Sequence, residues 1–349
     1  MTLPVDSLGM WEATAALPEQ MAAALADVAA LGAAGAVDGL AAGGPISNVV
    51  ACGMGGSGVA GDVVAAVAAP ELAVPVSVAK SYDLPAFVGA GSLVFAVSCS
   101  GDTEETVAVA TAAADAGARV VAVTGGGRLG RLAAEHGWPV FAVPADIPQP
   151  RAALGAMAVP PLVVLERLGL LDGMAARVAA TVDALSRRRD QLVQPGSIAE
   201  DLARRIDRTF PLVYGATGPA AVAAQRWKTQ VNENAKAPAF WSAVPELCHN
   251  ELAGWGQDGD VTRQVVTLVT LRHAGEHPQV AKRFTFLADA LLEVVADILE
   301  VWAEGTDPLG QLFDLAIVGD FVSLHLAGRE GTDPGPVPVL ADLKERLRA

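Results

Sequence analysis

The sequence predicts an α/β protein with two units, each built on a mainly parallel sheet covered by helices on both faces. Three observations lead there. Short, near-continuous Val/Ala/Ile runs alternate with Ala-rich helical stretches over residues 45–145, as strands buried on both faces require. A proline-rich break, Pro144-Ala145-Asp146-Ile147-Pro148-Gln149-Pro150-Arg151, ends that alternation. Beyond it the same order of strand, small-residue turn and helix returns in Pro211-Leu212-Val213-Tyr214-Gly215-Ala216-Thr217-Gly218-Pro219-Ala220. With 349 residues the chain is long enough for two domains of ordinary size. The predicted boundaries are an N-terminal helical segment at 1–44, a first domain at 45–150, a helical linker at 151–196 and a second domain at 197–349.

Residues 6–34 read as one helix, with Leu17, Met21, Leu25, Val28 and Leu31 near helical spacing and Gly32 and Gly35 ending it. Strands are predicted at 47–52, 74–79, 92–98, 118–124 and 138–143, and helices at 57–69, 104–116 and 128–136. Helical patterns follow at 152–170 and 174–190. The latter carries Arg187-Arg188-Arg189, which reads as a solvated helix end. In the second unit strands are predicted at 211–215, 264–272 and 291–296, and 315–318 reads as a strand or part of a helix. Helices are predicted from the turn at 216–220 through about residue 235 and at 278–290, 308–326 and 338–347.

The composition narrows the function. The net charge is −15 and the pI is near 4.7. Nucleic acid and anionic membrane surfaces reward clustered Lys and Arg, so neither is expected as a partner. A phosphate would have to be held by local dipoles and a few placed cations. Cys52, Cys99 and Cys248 have no paired spacing and read as reduced thiols of a cytoplasmic protein. No basic and apolar leader is read at Met1-Thr2-Leu3-Pro4. No charge-free apolar stretch reaches the ~18 residues of a membrane span.

The turn around which the first unit is organised is Gly53-Met54-Gly55-Gly56-Ser57-Gly58, between the first strand and its helix. Glycines leave backbone N–H groups uncovered, and a helix start adds free donors and a partial positive charge, an arrangement suited to an anion. The spacing is neither a dinucleotide fingerprint nor a P-loop. A second turn, Ser98-Cys99-Ser100-Gly101-Asp102-Thr103-Glu104-Glu105-Thr106, closes the strand 92–98. Ser100 or Thr103 can cap the helix that follows, and the hydroxyls of Ser98, Ser100 and Thr103 can satisfy phosphate oxygens without net charge. Arg151 is a candidate cation. Polar density recurs in Asn232-Glu233-Asn234-Ala235-Lys236 and Pro245-Glu246-Leu247-Cys248-His249-Asn250-Glu251, where a carboxylate and a histidine supply the pair needed for proton transfer beside a carbonyl. No histidine spacing suggests a metal site.

Those turns, Pro150-Arg151-Ala152-Ala153, the Asn-Glu-Asn and His-Asn-Glu blocks, and the tail Asp333-Pro334-Gly335-Pro336-Val337 with Leu343-Lys344 together resemble the bifunctional phosphoglucose/phosphomannose isomerases. These are double sugar-isomerase (SIS) domain proteins, and the resemblance runs in order from about residue 45. It implies two SIS-type domains and isomerisation of glucose 6-phosphate and/or mannose 6-phosphate with fructose 6-phosphate through an enediolate, with no metal and no organic cofactor. It implies that Gly55, Gly56, Ser57, Ser98, Ser100 and Thr103 hold the 6-phosphate and that Glu233 moves the proton between C2 and C1. Arg151 would stabilise the enediolate, and His249 and Lys344 would serve ring opening. His249 would reach in from the second subunit of a homodimer. The sequence departs from the family pattern at Cys99 and His325, where tyrosine is usual, and at Asp102, where asparagine is usual. A non-catalytic sugar-phosphate sensor and an isomerase of another phosphosugar are the alternatives. The acid/base set at Glu233, His249 and Lys344 favours an enzyme.

Overall fold

The computed structural model describes residues 5–33 and 35–348. Residues 1–4, over which no leader is predicted, and residue 34, the end of the predicted first helix, lie outside the described residues. The chain divides into two compact units. The N-terminal unit comprises Ala16–Arg188 and Glu304–Asp314, and the C-terminal unit Met1–Ala15, Arg189–Ala303 and Leu315–Ala349.

The predicted helix at 6–34 is two helices, α1 (Met10–Ala15) and α2 (Leu17–Ala33), followed by a short α3 (Asp38–Ala42). Asp6 accounts for the early start of structure, because its carboxylate accepts from the N–H groups of Met10 and Trp11 at 2.8 and 2.9 Å. The N-terminal unit then alternates strand and helix: β1 (Asn48–Cys52), α4 (Gly55–Ala68), β2 (Val76–Ala79), β3 (Ser92–Ser98), α5 (Glu104–Asp115), β4 (Arg119–Thr124), α6 (Gly127–His136) and β5 (Val140–Ala142). All five strands are parallel, in the order β2-β1-β3-β4-β5. β1 and β3 are buried at every position, as their unbroken apolar runs predict. The strand order reverses between β1 and β3, which opens a crevice at their carboxyl ends. A 3-10 turn at Pro150–Ala152 leads into α7 (Leu154–Arg167), buried from Leu154 to Leu165. Gly155 permits its close approach to α2, since a Cβ there would lie 2.9 Å from Met21 Cγ.

After α8 (Met174–Leu192) and α9 (Ile198–Ile206), the C-terminal unit repeats the pattern. β6 (Phe210–Ala216) and α10 (Pro219–Gln230) run into a π-helical turn at Val231–Ala235. Then come β7 (Phe240–Val244), 3-10 turns at Glu246–His249 and Glu251–Gly254, α11 (Gly259–Val265), β8 (Val266–Arg272), α12 (Pro278–Leu291), β9 (Asp297–Trp302), α13 (Pro308–Arg329) and α14 (Pro338–Arg348). Its four strands are parallel, in the order β7-β6-β8-β9, so the order again reverses, here between β6 and β8. α13 is long and apolar enough to cross a membrane by length and composition, but its apolar window is 94% buried, as a core helix requires.

Several expectations need correction. The strand placed at 291–296 is β9, shifted to 297–302; Leu291 still belongs to α12. Of the two readings of 315–318, the helical one holds, within α13. β7 was not anticipated, and 264–265 close α11 rather than open β8. The basic cluster is not a solvated end. Only Arg187 is exposed, whereas Arg188 is 8% exposed and pairs with Glu304 at 2.7 Å and Asp314 at 2.9 Å. Arg189 donates to the Ala15 carbonyl at 3.0 Å.

Candidate active site

The glycine-serine turn lies at the carboxyl end of β1, on the crevice beside β3. Gly55 has φ +54 with open space where a side chain would stand. Gly56 sits so close to the 3-10 turn at Pro150–Ala152 that a Cβ would lie 2.9 Å from the Pro150 oxygen and 3.0 Å from Arg151 Cα. The N-cap of α4 is Met54, and no side chain caps the helix, so its first-turn N–H groups are left for an anion. Ser57 is buried. Its Oγ donates to Met157 Sδ at 3.3 Å and accepts from the Cys99 N–H at 3.2 Å, which joins the β1 and β3 turns. Arg151, expected as a candidate cation, is only 3% exposed. A guanidinium is buried only where its charge is paired or hydrogen-bonded.

The second turn is held by its own hydroxyls. Ser98 Oγ donates to Thr103 Oγ1 at 3.0 Å and accepts from the Gly101 N–H at 3.1 Å. The exposed Ser100 accepts from the Asp102 N–H at 3.2 Å. Thr103 occupies the N-cap of α5 but makes no capping bond through its side chain, contrary to the simple capping role the sequence allows. Two uncapped helix starts, α4 and α5, therefore flank one crevice with Ser57, Ser98, Ser100 and Thr103 between them. The thiols add no charge here: burial pushes Cys52 up to about 12 and also raises Cys99.

Glu233, His249 and Lys344 belong to the C-terminal unit. Glu233 lies in the π-helical turn that continues α10, a local irregularity common at functional sites. That turn is anchored on both sides of Glu233. Asn232 Nδ2 donates to the Ala237 carbonyl at 2.9 Å, and the buried Asn234 donates to Ser323 Oγ at 2.9 Å. Lys236, left-handed at φ +57, ends the turn and donates to the Pro334 carbonyl at 3.2 Å. Beneath it Arg226 makes a bidentate pair with Asp320 at 2.9 and 2.7 Å, and Gln230 donates to the same carboxylate at 2.8 Å.

His249 ends the 3-10 turn Glu246–His249 and is exposed. The next turn is fixed by Glu251, whose carboxylate accepts from Tyr214 of β6 and Ser242 of β7. Trp255 Nε1 donates to Tyr214 at 3.2 Å, and burial and the Glu251 carboxylate keep the phenol protonated. Glu251 and Ser242 border a cavity of about 380 Å³ floored by Phe210, Leu212 and Val266. Lys344 is exposed on α14.

The structure thus brings together the six residues predicted to hold phosphate and the Arg151 segment within one unit, and carries the other three predicted residues on separate elements of the second. Sequence reasoning missed the polar clusters behind them. One signal was available: Asp314 and Asp320 interrupt an otherwise apolar run of helical length, and such carboxylates are buried only when paired.

Residues 197–347 match the bacterial phospho-glucose isomerase C-terminal SIS domain family. The chain is 34% identical over 306 residues to a bifunctional phosphoglucose/phosphomannose isomerase of Caldicellulosiruptor bescii, a match spanning 86% of this chain and 90% of that protein. It is 33% identical over 309 residues to a bifunctional phosphoglucose/phosphomannose isomerase of Aquifex aeolicus, over 87% of this chain and 91% of that protein. Among solved structures, tagatose-6-phosphate ketose/aldose isomerase from Escherichia coli matches with a TM-score of 0.73 at 17% identity, covering 96% of this chain and 98% of that one. The last likeness is one of fold, and it agrees with the expected α/β architecture of two SIS-type parallel sheets. With the two phosphate-type turns and the Asn-Glu-Asn and His-Asn-Glu blocks in order along the sequence, the chain belongs to the bifunctional phosphoglucose/phosphomannose isomerase family.

Proposed function

We propose that this chain interconverts glucose 6-phosphate and mannose 6-phosphate with fructose 6-phosphate through an enediolate. The observation that carries the reading is family membership over most of the chain, joined to two uncapped helix starts and their hydroxyls at a strand-order reversal. Gly55, Gly56, Ser57, Ser98, Ser100 and Thr103 hold the 6-phosphate through backbone N–H groups, hydroxyls and helix dipoles. Glu233 takes the C2 proton of the open-chain aldose and returns it to C1 of the enediol, while a proton passes from O2 to O1. The reverse sequence regenerates either C2 epimer. The Arg151 guanidinium stabilises the oxyanion that develops as the C2 proton leaves. His249 and Lys344 transfer the protons that open the sugar ring. The phosphate anchors the substrate far from C2, so one site accepts both epimers.

The enzyme works as a cytoplasmic homodimer in which His249 serves the partner's site. The exposure of His249 on a 3-10 turn supports this. Glu233→Gln is expected to abolish turnover while fructose 6-phosphate still binds by calorimetry; an active variant removes Glu233 from the role of base. Mixing Glu233→Gln with His249→Ala protein is expected to restore activity, because hybrid dimers contain one intact site. No recovery after subunit exchange would place both residues in the same chain's site.

A further inference from the structure

Asp102 puts a fixed negative charge in a turn assigned to phosphate, where like charges repel. Its contacts account for it. Asp102 Oδ1 accepts from the Arg128 N–H at 2.9 Å, at the second residue of α6. That helix has no acidic residue in its first turn, its N-cap Gly126 has no side chain, and Arg128 and Arg131 lie near its start. A carboxylate there meets an open N–H and the positive end of a helix. The same two turns are fastened again by their backbones. Gly125 N–H donates to the Cys99 carbonyl at 3.0 Å and Leu129 N–H to the Gly101 carbonyl at 2.8 Å. Gly101, at φ +75, packs so tightly that a Cβ would lie 1.8 Å from the Gly126 oxygen. On the other side, Ser98 and Ser100 accept from the N–H groups of Gly101 and Asp102. The peptide segment at Gly101–Asp102 is therefore gripped between the phosphate-turn hydroxyls and α6.

We infer that Asp102 is a positioning residue for substrate binding: by capping α6 at the Arg128 N–H, it locks the β3 turn in the form in which Ser98, Ser100 and Thr103 take the phosphate. This rests on the assignment of that turn to phosphate under the proposed function. An amide oxygen can make the same bond, so asparagine fulfils the role without the charge.

The test compares fructose 6-phosphate binding by calorimetry, and KM and kcat, in the wild type, Asp102→Ala, Asp102→Asn and Thr103→Ala. Asp102→Ala is expected to raise Kd and KM on the order of tenfold, the scale of a lost hydrogen bond to a charged group, with kcat little changed. Asp102→Asn should keep KM at or below the wild-type value. If Asp102→Ala does not fold, Arg128→Pro deletes the donor instead, proline being tolerated in a first helical turn, and must raise KM in the same way. An unchanged or lowered KM in Asp102→Ala overturns the inference, as does an equal rise in Asp102→Asn. Thr103→Ala, in the β3 turn itself, separates the two levels. If it binds substrate as the wild type does, the phosphate turn itself is misassigned. If it loses binding while Asp102→Ala does not, only the role of Asp102 falls.

Discussion

Gly56 and Arg151 define each other. The glycine is needed because the Pro150–Arg151 backbone lies where its side chain would be, and that approach sets the arginine segment against the start of α4. The sequence displays the glycine plainly but hides its reason, since the contact joins residues far apart in the chain. His325 is a second case. It is buried, its ring meets Trp11 edge-on at 5.2 Å, and among the described residues its Nε2 has no hydrogen-bond partner. Burial lowers its pKa from the ordinary 6.5, against a weaker opposing pull from Glu200. The folded state therefore holds a neutral ring while the unfolded chain takes up a proton, and stability falls as pH drops below 6.5. His325→Phe is expected to flatten the fall in urea-unfolding midpoint between pH 6.5 and about pH 5. An unchanged slope would show that His325 does not carry it.

The pairing of α10 with α13 governs the element that carries Glu233. Arg226, Gln230 and Asn234 follow one another at helical spacing and meet Asp320 and Ser323 of α13. Trp227 donates to the Leu315 carbonyl at 2.7 Å and lies over Gly319, where a Cβ would be 2.2 Å from its ring. Removing one partner leaves an uncompensated buried charge, so Asp320→Ala is expected to cost about 3–5 kcal/mol in denaturant unfolding. A loss below about 1 kcal/mol would be the size of an exposed pair and would contradict the burial. Much of this level is legible in the sequence: β1, β3 and β4, and the helices α4, α5 and α6 that follow them, fall within a few residues of their predicted places because both strand faces are covered and the apolar runs are unbroken. β9 was misplaced because Leu291-Leu292 and Val294-Val295 outweigh the alternating edge strand Asp297–Trp302. β7 is a short edge strand with Phe240 and Trp241 exposed, so it lacks the pattern of a buried strand. The burial of Arg188 was illegible because Glu304 and Asp314 lie more than a hundred positions away.

For the molecule as a whole, a chain of net charge −15 is assigned an anionic substrate. The conflict eases if the phosphate is held by helix dipoles, backbone N–H groups and hydroxyls, because such contacts act within a few ångströms while dispersed surface charge is screened beyond about 10 Å. Both units use the same strand–turn–helix order, but the serine- and threonine-bearing turns proposed for phosphate lie in the N-terminal one, and the proposed proton-transfer residues Glu233, His249 and Lys344 lie in the C-terminal one. The measurement that tests this account most directly is incubation of the purified protein with fructose 6-phosphate in EDTA, followed by separate assays of glucose 6-phosphate and mannose 6-phosphate. The account predicts that both accumulate. Neither product, with fructose 6-phosphate still bound, would contradict it and leave a sugar-phosphate sensor in its place.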